Sequence, residues 1–209
     1  MGRYRWSDWV CYWLLKWLVV NPLFRLVFWG RVWGALPRSG PLIVVSNHAS
    51  HWDPPLLANA ARRPVAFMAK EELFRVPVLK QVITLYGAYP VRRGGVDRKA
   101  LQAAQQALGR GWAVGIFLNG TRSRDGRIET PHLGAALIAA QTQTPLVPVA
   151  LWGTERIQPK GQRFPRLFAP ITVRIGDPIP PPSSTAREEL QQVTHRCVEA
   201  IHALLECGR

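Results

Sequence analysis

Trp6, Trp9, Val10, Trp13, Leu14, Trp17 and Leu18 recur at i, i+3, i+4 and i+7, the spacing of one helical face. Asn21-Pro22 then reads as a helix restart, with Asn as cap and Pro in the first turn, so a second helix is expected over Leu23 to Trp33. Beyond it the pattern changes to short apolar runs: Pro41 to Ser46, Pro64 to Met68, Ala88 to Val91, Ala113 to Leu118, Leu146 to Leu151 and Ile171 to Ile175. Runs of this length beside Pro and Gly read as buried strands. Helix-like stretches separate them: Pro54 to Ala60, Val76 to Tyr86, Val96 to Leu108 and Leu133 to Ala140. A last helix is expected to start at Thr185, with Glu188 completing a capping box. Its apolar face is Leu190, Val193, Cys197, Val198, Ile201, Leu204 and Leu205. Alternating strands and helices predict an α/β fold, a central mixed sheet flanked by helices, preceded by an amphipathic two-helix element over residues 1–34. Gly161 to Pro170 and Pro178 to Pro182 read as Pro-rich loops, and no repeat or low-complexity tract appears.

Composition sharpens the reading of the N-terminal element. The chain has 209 residues, 47% of them apolar and 19% charged, which excludes intrinsic disorder. Lys and Arg number 27 against 13 Asp and Glu, giving +14 and a pI near 11.0, so an anionic partner is expected. Six of the nine tryptophans fall in the first 33 residues, among Lys16, Arg25 and Arg31. Those cations interrupt any membrane-spanning run, whereas indoles beside cations suit the headgroup layer of an anionic membrane. The alternative is a pair of aromatic core helices. A cleaved signal peptide is disfavoured because no uninterrupted apolar centre or small-residue cleavage site follows. Nucleic acid is not expected as a partner, since its readers interleave aromatics with cations in a groove. Cys11, Cys197 and Cys207 are an odd set without metal-like spacing, which points to a reducing compartment.

Directly after the first expected strand comes Ser46-Asn47-His48-Ala49-Ser50-His51-Trp52-Asp53-Pro54-Pro55. Asp53 before Pro54 resembles a helix N-cap. One carboxylate oxygen could then accept backbone N–H bonds while the other orients the His48 imidazole, making a general base. On spacing alone a capping Asp beside an unrelated loop His is an equal reading. A metal held by His48, His51 and Asp53 is a third, without further ligands nearby. The chain has no Gly-x-Ser-x-Gly elbow and no P-loop. Two further expected strands run into cationic loops, Gly87 to Gly94 with Arg92 and Arg93, and Phe117 to Gly126 with Arg122 and Arg124. Arginine forks suit phosphate.

Asn47-His48-x4-Asp53, Gly87 to Arg93, Phe117 to Asp125 and Val147-Pro148-Val149 stand in the order of the four blocks of the glycerolipid acyltransferase family. The chain resembles its lysophosphatidate (1-acylglycerol-3-phosphate O-acyltransferase) group over roughly residues 35 to 180. The resemblance implies an acyltransferase domain over residues 35–209 that moves a fatty acyl group from a thioester to lysophosphatidate, forming phosphatidate. Another lysophospholipid or glycerol-phosphate acceptor is the nearest alternative; a non-catalytic lipid- or nucleic-acid-binding basic protein, favoured by the pI near 11.0 and by Asn119, is the alternative of another class. The resemblance implies His48 as base and Asp53 as its orienting partner. Arg93 and Arg122 would hold the substrate phosphate, Gly120 and Thr121 would shape that pocket, and Pro148 would belong to the acyl-side wall. Neither a metal nor an organic cofactor is implied; acyl-CoA or acyl-carrier protein is the co-substrate. The implied location is the cytoplasmic face of the inner, or another cytoplasm-facing, membrane. The family's third block usually reads Phe-Pro-Glu-Gly-Thr-Arg, and here Leu118 and Asn119 replace Pro and Glu. If the family Glu steadies Arg122 or a substrate hydroxyl, restoring it through Asn119→Glu should raise activity.

Overall fold

The computed structural model describes residues 6–75, 77–85, 87–91, 98–159, 161–162 and 164–209. All six apolar runs become strands, and a seventh precedes them. The strands are β1 (Arg31–Trp33), β2 (Leu42–Ser46), β3 (Val65–Lys70), β4 (Tyr89–Val91), β5 (Ala113–Phe117), β6 (Leu146–Trp152) and β7 (Thr172–Ile175). They form one sheet in the order β1-β7-β6-β2-β5-β3-β4. The five strands from β6 to β4 run parallel, β7 lies antiparallel to β6, and β1 is parallel to β7. The sheet is therefore mixed. The helices are α1 (Trp6–Leu15), α2 (Asp53–Ala61), α3 (Pro77–Leu85), α4 (Arg98–Gly109), α5 (Gly134–Thr142), α6 (Thr154–Ile157) and α7 (Arg187–Glu206).

Both faces of the sheet are covered, which is why the central strands are apolar throughout rather than alternating. Ile43, Val45 and Val114 face α4, α5 and α7, where Ala104, Ala139, Cys197 and Ile201 are buried. Leu42, Val44 and Val147 face α2 and the N-terminal segment, with Leu56, Leu57, Tyr12, Phe24 and Phe28. The buried Arg63 fastens the loops at the lower end of the sheet. Its guanidinium donates to the carbonyls of Pro37 and Gly40 at 2.7 Å each and of Gly111 at 2.8 Å.

The N-terminal segment departs from expectation in two ways. Asn21 does not cap a new helix: its N–H donates to the Lys16 carbonyl, and Asn21 and Pro22 keep right-handed helical dihedrals. One helical course runs from Trp6 to Val27, with π-turns at Lys16–Val20 and Leu23–Val27 on either side of that pair. A wider turn relieves the ring and missing N–H of an interior proline. The second helix also stops short of Trp33. Trp29 takes φ +43°, Gly30 packs against the Phe24 ring, and Arg31–Trp33 become strand β1. Sheet pairing wins there because β7 would otherwise be an open edge; Arg31 N–H donates to Ile171 O, and Ile171 N–H to Phe28 O, at 3.1 Å each. Among the described residues, no helix is long and apolar enough to cross a membrane.

At α7 the Thr185–Glu188 box is not formed. Glu189 instead reaches back to the Ser183 hydroxyl and to the Ser183 and Ser184 N–H groups, and Ser184 Oγ accepts from Ala186 N–H. These bonds order the turn that leads into α7, whose N-cap Ala186 makes no side-chain capping bond.

Candidate active site

Ser46 and Phe117 pair in register at the ends of parallel neighbours β2 and β5, and Ser46 also pairs with Val149 of β6. The loops that follow β2 and β5 therefore leave the same end of the sheet side by side, where parallel α/β sheets present their chemistry. Asn47 secures the first loop. Its side chain accepts from Leu151 N–H at 2.8 Å and donates to Leu151 O at 3.0 Å, replacing strand pairing beyond Ser46. Ser123, in the loop after β5, donates to the His48 carbonyl through its N–H at 2.8 Å and through its hydroxyl at 3.2 Å. Two backbone segments 75 residues apart are thus joined at His48.

His48 Nδ1 lies 2.7 Å from Asp53 Oδ2. The pairing left open by spacing alone is present. Asp53 is the first residue of α2 rather than a cap ahead of it. Its two oxygens do not divide the work as expected: Oδ2 accepts from Ala49 N–H at 2.7 Å and Ser50 N–H at 2.8 Å as well as facing the imidazole. The loop wraps tightly enough for all three donors to converge on one oxygen, and Oδ1 is buried without a hydrogen-bond partner among the described residues. The carboxylate is fully buried, while the His48 side chain keeps 16% of its exposure. The imidazole also stacks on Phe117, with centroids 4.2 Å apart and planes 18° from parallel. Packing on one side and a carboxylate at Nδ1 fix the ring. An acceptor at Nδ1 selects the Nδ1–H tautomer and leaves the Nε2 lone pair as the basic position.

The loop after β5 turns at Gly120, whose N–H donates to Phe117 O at 3.0 Å and whose φ is +62°. A Cβ there would sit 2.8 Å from His132 Cδ2, so glycine suits both the turn and the approach of that ring. Thr121 is exposed and Arg122 half-buried on the same loop. Arg93 lies outside the described residues, and β4 ends at Val91. Pro148 sits within β6 on the face turned towards Gly176 and Leu204 of α7. Asn119 is only 6% exposed, and its amide donates to the Arg127 carbonyl at 2.9 Å. Its Oδ1 is buried without a partner among the described residues.

Sequence reasoning gave no separate role to Asn47, Ser123 or Phe117. The Asn47 signal was its place beside His48 at a strand end; Phe117 and Ser123 lie in the third family block, but no local pattern ties them to His48. His51 is exposed, and no group of three or more His, Cys, Asp or Glu among the described residues is placed to hold a metal. Chemically, an oriented imidazole beside a loop that offers backbone N–H groups and arginine can take a proton from a hydroxyl and hold an anion.

A family model described as Acyltransferase matches residues 32–152. A chloroplastic 1-acyl-sn-glycerol-3-phosphate acyltransferase of Brassica napus is 34% identical over 149 residues, 69% of this chain and 42% of that protein. A lyso-ornithine lipid O-acyltransferase of Pseudomonas aeruginosa is 31% identical over 139 residues, 66% of this chain and 53% of that protein. The matches thus span about half the length of these relatives. The crystal structure of the 1-acyl-sn-glycerophosphate acyltransferase PlsC from Thermotoga maritima superposes with a TM-score of 0.75 at 27% identity, covering 98% of this chain and 84% of that one.

Proposed function

The chain belongs to the acyltransferase family, and from that premise we propose that it transfers a fatty acyl group from a thioester to the free hydroxyl of lysophosphatidate, forming phosphatidate. The observation that carries this reading is the His48–Asp53 pair, buried on its carboxylate side and open on its imidazole side. His48 Nε2 takes the hydroxyl proton as the acceptor oxygen attacks the thioester carbonyl. The tetrahedral adduct collapses with cleavage of the C–S bond, and the imidazolium returns the proton to the departing thiolate. Asp53 holds the tautomer and stabilises the transient imidazolium. Arg122 and Arg93 are assigned to the acceptor phosphate, with Gly120 and Thr121 shaping the loop around it. No cofactor enters this scheme, and acyl-CoA and acyl-carrier protein are both chemically suitable donors.

Membrane docking belongs to the same proposal. Large apolar side chains lie exposed in residues 10–33 and 164–168, including Trp17 at 58% and Leu26 at 71%. The two groups meet where the Trp29 and Phe168 rings lie 6.3 Å apart. An apolar surface gathered in this way, on a chain of charge +14, suits a cytoplasm-facing anionic membrane that supplies the lysolipid.

The test is a turnover assay of the purified chain with lysophosphatidate and each thioester donor. His48→Ala is expected to lower kcat by ~10²–10⁴-fold, the usual share of general-base assistance. Wild-type turnover by His48→Ala would refute the mechanism. The similarity to a lyso-ornithine lipid acyltransferase favours a second acceptor, and lyso-ornithine lipid in the same assay decides between them.

A further inference from the structure

A cleft of about 270 Å³ opens between the N-terminal helical segment and the far end of α2. Lys16, Arg25 and Arg62 line it together with the amides of Asn21 and Asn59 and the indole of Trp17. No acidic side chain is among the described residues that line it. Asp53 opens α2, whereas Asn59 and Arg62 stand towards its other end, about 9 and about 13 Å further along the axis at ~1.5 Å per residue. The cleft is therefore separate from the His48 site.

Lys16 has a structural task here. Its Nζ donates to the Ala58 carbonyl at 3.1 Å, answering the negative end of α2. That bond accounts for one cation of three. Arg25 and Arg62 make no ion pair with a carboxylate among the described residues. Lys16 is only 3% exposed, and burial, followed by repulsion from Arg62, brings its ammonium down to about 8. Three cations gathered at a cleft without an acid leave the site short of negative charge. Asn59 Nδ2 donates to Asn21 Oδ1 at 3.5 Å, which turns the Asn21 amide so that its own NH2 is a donor of the kind that anionic oxygens accept. The volume, just below the range of about 300–1,000 Å³ for small-molecule pockets, suits a headgroup-sized anion. Exposed Trp17, Leu18 and Leu26 lie along the same segment, so the cleft sits beside the apolar surface described above.

We propose that this cleft binds a phosphate-bearing anion, held between Lys16, Arg25 and Arg62 and distinct from the acceptor of the acyl group. Two sources share that chemistry: the headgroup of an anionic lipid and free phosphate in solution. The proposal rests on the charge and shape of the cleft and does not require acyl transfer.

The test uses the full chain and the double variant Arg25→Gln/Arg62→Gln, both positions being exposed so that folding is spared. A control variant, Arg187→Gln/Arg196→Gln, removes two exposed cations from α7. In one arm, inorganic phosphate is titrated against chloride at matched ionic strength, reading tryptophan fluorescence and thermal stability. In the other, sedimentation measures binding to phosphatidylcholine vesicles with and without about 20% phosphatidylglycerol. The cleft variant is expected to lose about tenfold or more in affinity in at least one arm, with the control within about threefold of wild type. The arm that responds identifies the source. Unchanged binding by the cleft variant in both arms overturns the proposal, as does an equal loss in the control. Catalysis is read separately, so loss of the cleft with intact turnover does not touch the acyl-transfer reading.

Discussion

Replacing Asp53 with Asn tests how the dyad is held, because three donors converge on the single oxygen Oδ2. Two of them, the N–H groups of Ala49 and Ser50, cannot turn round. An asparagine amide must therefore place its oxygen there, since its NH2 would face two donors. The oxygen still accepts from Nδ1–H, so the tautomer that leaves Nε2 basic is retained and only the charge is lost. A charge-assisted bond exceeds a neutral one by roughly 1–1.5 kcal/mol. Loss of attraction for an imidazolium about 4 Å away, centre to centre, has a ceiling of about 4 kcal/mol at an effective dielectric of ~20. These bounds give a fall in kcat of about 10- to 10³-fold. A carboxylate-to-amide change that flips the tautomer costs about 10⁴-fold. Turnover with lysophosphatidate, together with ¹⁵N spectra of labelled histidine, separates the cases. Equal kcat to wild type, or a loss as deep as that of His48→Ala with the proton on Nε2, would refute the reasoning.

Asn119→Glu is expected to lower stability and activity, reversing the expectation drawn from the family pattern. A carboxylate cannot donate to the Arg127 carbonyl and would face it without a proton, a loss of about 1–3 kcal/mol read by thermal melting and kcat/KM; higher kcat/KM would refute this. The depressed Lys16 ammonium carries a pH signature. The unfolded chain binds the proton more tightly than the folded one, so stability rises as pH increases through about 8. Between pH 8 and 9 the gain is at most about 1 kcal/mol, discounted by any water the ammonium reaches, and Lys16→Met in phosphate-free buffer should flatten it. Above that window the buried Cys197 thiol, pushed up to about 12, pulls the other way. Trp17→Glu/Leu26→Glu should cut sedimentation with anionic vesicles severalfold while leaving melting within about 0.5 kcal/mol, because both side chains are exposed; undiminished pelleting would place docking elsewhere.

The sheet was legible because its strands are buried on both faces and so appear as unbroken apolar runs between Gly and Pro. Strand β1 was not, since Arg31-Val32-Trp33 is too short to show a period and owes its conformation to pairing with β7. The helical restart at Asn21-Pro22 failed for a related reason: local cap chemistry was overridden by a π-turn on each side. At the site, His48 and Asp53 could be read from one loop. Ser123 and Phe117 reach His48 only because β2 and β5 are neighbours, which no local pattern states. Arg63, a lone arginine in sequence, becomes a tie for three loops by the same long-range logic.

The pairing of β1 with β7 also sets a timetable. Arg31 emerges from the ribosome roughly 140 residues before Thr172, its partner in the sheet. At ~5–20 residues per second, that interval is about 7–28 s. Throughout it, the Arg31–Trp33 strand has no β7 edge to join. A nascent chain in that state exposes Trp29 and Trp33 until β7 is made and can pair with β1. Its folding rate should therefore depend on closing one long loop, an entropic step that short-range contacts cannot accelerate. Whatever shelters the N-terminal segment during those seconds, chaperone or lipid surface, acts on a folding intermediate before it acts on the finished protein.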